Sequence, residues 1–276
     1  MHQISPKGLL LLLLTALPAV GGQPAPRGFI QIEEWTPDTF EQGELRRRRV
    51  EAGAGTHWGY RHDYRAFTLP EDNGRSPATN GHVHATGPVF RWQGEQYQGE
   101  LAPALAVSSN VLRDQRGLDL RDIQPAVQLL RTDPALLEGE WLWGVRADSR
   151  TGTYTLLPVI AWRSDPQAVT ALTLGFPDST LIWNPHSAWA LRINLGPDGG
   201  SWRVRDREFD RTSRLQARRW RGALGIEWLP SPHLSLHASV EHAVSRRWRY
   251  TLEDGTRTEI TPPNTTAAVL GISLRF

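Results

Sequence analysis

The sequence predicts an all-β chain that closes into an antiparallel transmembrane β-barrel of about 12 strands, within a span of about 10–14. Three observations carry this reading. Apolar residues recur at every second position through most of the chain, which is the strand period. Tryptophans stand at the ends of those apolar faces, where an interfacial girdle belongs. The chain finishes in an alternating segment whose apolar face ends on Phe276. Composition narrows the field further. The 276 residues contain no cysteine, which excludes disulfide scaffolds, zinc ribbons and Cys nucleophiles. A hydrophobic content of 39% is too high for a disordered chain. No apolar run beyond residue 22 approaches the ~18–20 residues of a membrane helix, and the mean hydropathy is −0.43. A bundle of membrane helices is thereby excluded; a barrel is not, because its alternating faces average out.

The first element is a targeting segment. Lys7 gives a positive start, Gly8 to Ala16 is apolar with leucine at every position from Leu9 to Leu14, and Pro18 ends the run. Val20, Gly21 and Gly22 supply small residues before Gln23, the pattern of a cleaved signal peptide. The apolar core is only about ten residues, too short to span a bilayer comfortably. The expected organisation is a signal peptide over residues 1–22 and one barrel domain over 23–276, carried to the outer membrane. Lys7 is the only Lys; the other 30 basic residues are Arg, set against 29 acidic ones and interspersed with them. That distribution does not imply a nucleic-acid partner.

The strands follow in order. Candidates lie near 46–58, 62–69 and 82–93, then Tyr97, Gly99, Leu101, Pro103, Leu105 and Val107 form one face. After a candidate at 123–131, Trp141, Trp143, Val145 and Ala147 alternate with Glu140, Leu142, Gly144, Arg146 and Asp148. Candidates at 152–163, 168–176 and 179–184 precede the face of Trp189, Leu191, Ile193 and Leu195. Trp220, Gly222, Leu224, Ile226 and Trp228 form the next, and Leu234, Leu236, Ala238 and Val240 another. Residues 72–80 and 113–122 read as loops, and Gly196-Pro197-Asp198-Gly199-Gly200 reads as a short turn. Leu229-Pro230-Ser231-Pro232 is expected as a periplasmic turn and Leu252 to Asn264 as an extracellular loop, which puts Phe276 on the periplasmic side. At about 20 residues per strand with its turns, the exported chain yields the estimate of about 12 strands.

A soluble secreted sandwich is the alternative. The girdle argues against it. Trp220 and Trp228 bracket one apolar face, Trp189 starts one and Trp58 ends one. Eight residues at about 3.3 Å rise and roughly 40° tilt span about 20 Å, close to the ~25 Å apolar band of an outer-membrane barrel.

The last strand, with Ala268, Leu270, Ile272, Leu274 and Phe276 on one face, resembles the C-terminal strand of bacterial outer-membrane barrels. That resemblance implies recognition by the barrel-assembly machinery during biogenesis. The segment from Leu174-Gly175-Phe176-Pro177-Asp178 through Trp183-Asn184-Pro185, Ala188-Trp189-Ala190-Leu191 and Gly199-Gly200-Ser201-Trp202 resembles an uncharacterised family of small outer-membrane β-barrels of Gram-negative bacteria. The likeness covers about the C-terminal half, rests on turn chemistry, and implies fold and location without an activity.

The chemistry is sparse. His233, Ser235, His237, Ser239 and Glu241 share one face of a strand, the residue types of a nucleophile, base and orienter set. Outer-membrane lipid hydrolases carry His and Ser two apart, but here Leu236 and Val240 stand where an Asn would follow. A polar lumen face is the expected reading. His82 and His84 have the spacing of two metal ligands with no third in place. Glu33 and Glu34, being adjacent, point to opposite faces of a strand. The run Arg46 to Arg49 reads as a charged rim. Arg146, Arg192, Arg203, Arg205 and Arg221 are expected inside the lumen with Glu140, Asp148 and Glu227. No cofactor or metal is expected. The expected role is that of a monomeric, non-enzymatic barrel in contact with outer-membrane lipid, either structural or a narrow, porin-like passage for small solutes. The alternatives are a lipid-modifying hydrolase using the Ser/His face and a scaffold for a periplasmic partner.

Overall fold

A computed structural model describes residues 28–40, 43–54, 57–68, 80–114, 118–135, 139–206, 211–252 and 254–276. The expected signal peptide at 1–22 and residues 72–79 of the expected loop at 72–80 lie outside the described residues, and Asn80 opens a strand. The strands are β1 (Gly28–Trp35), β2 (Asp38–Phe40), β3 (Gly43–Ala54), β4 (Trp58–Thr68), β5 (Asn80–Gln93) and β6 (Tyr97–Ser108). A short helix α1 (Ser109–Asp114) and a 3-10 turn (Leu120–Asp122) lead to β7 (Ile123–Pro134), β8 (Glu140–Asp148), β9 (Thr155–Arg163), β10 (Thr170–Phe176) and β11 (Ser179–His186). The chain closes with β12 (Trp189–Asp206), β13 (Arg211–Ser231), β14 (Leu234–Leu252), β15 (Arg257–Ile260) and β16 (Thr265–Arg275).

Successive strands pair antiparallel, β16 pairs both β14 and β1, and Gly28 of β1 meets Ala54 of β3. The result is a closed antiparallel barrel of fourteen strands, with β2 prolonging the line of β1 along β3 and β15 added to β14. Closure pairs the first strand with the last, so the ring has no terminal edge strand of the kind that invites aggregation. The expected number of about 12 is corrected upward. Four strands fit between Glu140 and His186, because tight turns at both ends shorten β8 to β11 to between seven and nine residues.

One end of the barrel, here called proximal, holds Gly28, Phe276 and the Ser231–Leu234 turn. Backbone bonds of 2.7 and 3.1 Å tie Gly28 to Phe276 there. The Leu252 to Thr265 connection lies at the distal end, as strand parity requires. The Gly196 to Gly200 stretch is not a turn. It lies inside β12, in unbroken register with Arg218 to Arg221 of β13. The last pair with β11 is Ser179 with Leu195, so Pro197 stands where that edge of the strand has lost its neighbour. A missing N–H is tolerated at such a position.

The apolar faces point outward. Trp58, Trp141, Trp143, Leu156, Ile160, Trp183, Trp189, Leu195, Trp220, Leu224, Trp228 and Leu270 are all exposed. The inward face carries charges over much of its height, and its largest apolar cluster lies at the distal end. There Leu45, Phe67, Val83, Ala106, Trp202, Val204, Leu215, Trp248 and Tyr250 pack into one cluster. Phe67 meets Trp248 edge-on across the lumen, with ring centroids 5.8 Å apart.

Two devices build that cluster. First, β12 leaves β11 and pairs parallel with β6 at Arg203 and Val107, so the ring narrows above β7 to β11. Second, β14 carries a bulge opposite Arg218 and Trp220, with Ser245 at φ 52°. The extra residue reverses which side chains face inward. Beyond it Trp248 and Tyr250 are buried, while Arg247 is exposed.

Candidate functional site

The lumen is spanned by ion pairs from opposite sides of the ring. Arg47 on β3 donates to Asp63 on β4 at 2.7 Å and to Asp198 on β12 at 2.8 Å. Arg219 on β13 donates to Asp198 at 2.8 Å and forms an ion pair with Glu241 on β14 at 2.6 Å. Glu241 also accepts from Arg221 at 3.0 Å and from the Trp35 indole at 3.2 Å. Arg65 donates to Asp63 at 3.0 Å, and its guanidinium stacks 4.8 Å from the Trp202 ring centroid. Arg47 stacks in the same way on Trp35, at 4.6 Å. Delocalised, weakly hydrated guanidinium groups suit this duty better than ammonium groups, which gives the near-absence of Lys a physical sense.

The run Arg46 to Arg49 is therefore not a rim. It lies within β3, and strand alternation divides it: Arg47 is buried in the lumen while Arg46 and Arg48 are exposed outside. Glu33 and Glu34 divide likewise. Glu33 lies 3.7 Å from inward Arg49, and Glu34 lies 3.0 Å from outward Arg48. A second lumen cluster joins Glu51 and Glu100 to Arg61 and Arg91, with Arg91 2.9 Å from Glu100 and Arg61 3.0 Å from Glu51.

The charges named from sequence fall as follows. Arg146 reaches Asp148 at 2.8 Å and Asp178 at 2.9 Å. Arg192 pairs with Glu227 at 2.6 Å, and Glu140 with Arg163 at 2.5 Å. Arg203 and Arg205, expected inside, alternate with buried Trp202 and Val204 and so face outward. Arg203 reaches Asp122 at 3.0 Å instead.

The Ser/His face does not assemble a nucleophile and base. Ser235 is buried, and its hydroxyl donates to Glu227 at 2.5 Å. His237 lies 3.5 Å from Glu33, and His233 Nδ1 lies 3.0 Å from the Arg275 carbonyl. Ser239 sits against Gly225, and Glu241 is spent on the arginines above. Along the C-terminal strand, Leu270 and Phe276 are exposed on the outside, and Ala268, Ile272 and Leu274 share that face. His82 and His84 lie on the outer face of β5. His84 accepts or donates to Ser109 at 2.7 Å and lies 3.4 Å from His62, while Tyr64 meets His82 at 2.6 Å. Among the described residues no group of three His, Cys, Asp or Glu side chains could hold a metal.

Outside, at the distal end, a cleft of about 540 Å³ opens where β12 to β15 rise beside the 3-10 turn. Arg203, Arg214, Arg249 and Arg257 line it from the strands, and Arg121, Asp119 and Asp122 from the turn. Glu259 on β15 accepts from Arg249 at 2.9 Å, and that hydrogen bond holds its carboxyl below the ordinary carboxylate value.

No protein-family model matches the chain, and no curated protein sequence matches it. Among solved structures the chain is similar to the outer membrane protein OprG from Pseudomonas aeruginosa. Identity is 11%, the match covers 91% of this chain and 97% of that one, and the TM-score is 0.25. The barrel is defined by the strand pairing of this chain, closed by β1 on β16.

Proposed function

We propose that this chain is an outer-membrane β-barrel that acts as a closed, non-catalytic membrane-embedded scaffold. The observation that carries this reading is the bridge of Arg47 to Asp198, which ties β3 to β12 across the lumen beneath an apolar distal core. A fourteen-strand ring has room for an aqueous channel unless side chains fill it. Here paired guanidinium and carboxylate groups and the Phe67–Trp248 contact project into it, which supports a filled lumen. The exposed belt bounded by Trp189, Trp220 and Trp228 supports membrane insertion, since those rings favour the headgroup boundary. In this reading the proximal end is periplasmic and the distal end extracellular, and Phe276 completes the strand read by the assembly machinery.

Two measurements test it. The outer-membrane fraction is run on a gel with and without boiling, for the full chain and for a Phe276 deletion. Faster migration of the unboiled full chain, reduced in the deletion, supports an assembled barrel; a soluble chain without a heat shift ends the membrane reading. Purified protein is then placed in planar bilayers. Absence of conductance supports the scaffold, and a steady single-channel current replaces it with the narrow passage.

A further inference from the structure

The distal cleft sits at a place set by the fold. Strands β7 to β11 end beneath it, and their outward faces, including Leu156, Ile160 and Phe176, are apolar and exposed. Above them β12 to β14 continue. Their outward residues change from apolar to basic just past Trp220: Arg218 faces outward on β13, paired with Arg247 on β14, and Arg214 lies opposite Arg203. The bulge at Ser245 brings Arg247 and Arg249 to this side. Five guanidinium groups line the cleft, those of Arg121, Arg203, Arg214, Arg249 and Arg257, beside the carboxylates of Asp119 and Asp122. Beside the cleft, Leu118, Leu120 and Ile123 are exposed, Leu120 at 83%. Clustered guanidinium groups next to exposed aliphatic side chains, at the upper limit of an apolar belt, match a molecule with phosphate groups above and acyl chains below.

We propose that this cleft binds a phosphorylated lipid headgroup of the outer leaflet, with Arg214 and Arg249 on its phosphates and Leu118 and Leu120 against its acyl chains. The inference rests on the membrane reading above. A soluble polyphosphate shares the phosphate chemistry, but it has no use for the leucines.

The test uses the full chain, purified and refolded in a neutral detergent. Equilibrium binding of diphosphoryl lipid A is measured for the unaltered protein, for Arg214→Glu with Arg249→Glu, and for Arg214→Gln alone. Arg131→Glu, on the proximal exterior, is the control. Binding that weakens about tenfold or more in the double variant, by a smaller factor in Arg214→Gln and not in Arg131→Glu, supports the site. Equal binding by the double variant, or equal binding of a dephosphorylated lipid A, overturns it. Sodium tripolyphosphate binding as tightly as the lipid overturns the lipid assignment. The heat shift on gels is read for every variant. An inserted barrel with unchanged binding refutes the cleft alone, whereas a chain that never inserts refutes the membrane reading; Arg214→Gln keeps the test open if the double variant fails to fold.

Discussion

Arg47 and Asp198 are 151 residues apart in the chain, and their side chains meet at 2.8 Å in the middle of the barrel. Each is nearly inaccessible to solvent, and each has a further partner, Asp63 for Arg47 and Arg219 for Asp198. A buried pair of this kind contributes little beyond what an apolar replacement would, yet removing one member strands the other's charge.

Asp198→Asn keeps the volume and deletes the charge shared by Arg47 and Arg219. The expected loss is about 3–5 kcal/mol. It is read as a lower temperature for converting the fast-migrating gel form into the unfolded one. A transition temperature equal to that of the unaltered protein would show that the bridge is not formed.

Ser235→Ala removes the hydroxyl that donates to Glu227. The expected cost is about 1–3 kcal/mol, from a buried acceptor left short of one partner. Phospholipid and lipid A ester turnover should be absent from the parent and the variant alike. Turnover in the parent that vanishes with Ser235 would revive the hydrolase.

Ser245 holds a left-handed backbone conformation that costs an L-residue roughly 1–2 kcal/mol. Ser245→Gly should raise the transition temperature, and Ser245→Val should lower it, because a β-branched side chain fits that conformation least. The reverse order would place the bulge elsewhere.

Glu259 competes with a phosphate for Arg249. Glu259→Gln should tighten diphosphoryl lipid A binding by roughly two- to fivefold, the scale of an exposed ion pair. Because the hydrogen bond from Arg249 lowers the carboxyl's proton affinity, the pair persists to lower pH than an unpaired carboxylate would stay ionised. Moving from pH 7 to about pH 5 should therefore leave Glu259's competition in place. A gain in affinity over that interval as large as the Gln variant's would contradict the pairing.

Alternation in the sequence was enough to identify which residues face outward from Trp141 to Ala147, Trp189 to Leu195 and Trp220 to Trp228. Two residues show why the rest was hidden. Asp198 looked like part of a turn because Pro197, Gly199 and Gly200 surround it, and local propensity carries no notice that the strand's edge is free there. Trp248 and Tyr250 continue the outward phase of Val240 and His242, yet the bulge at Ser245 turns them inward. A single inserted residue has no signature in a periodicity count. The lumen network was visible only as charges on one face. Its pairings join strands far apart in the chain, and spacing says nothing about those. The resemblance of the C-terminal half to small outer-membrane barrels rests partly on Gly199-Gly200-Ser201-Trp202, which is strand and not turn.

The contact of β12 with β6 gives the molecule a second seam. The distal core draws its residues from β3 to β6 and from β12 to β15, and none from β7 to β11. Those five strands form an annex to a smaller cylinder that is already fastened without them at its upper end. Their hairpins can therefore lengthen, shorten or change sequence by descent while the cap stays as it is. Variation among related chains should collect between residues 123 and 186, and the cap should drift slowly.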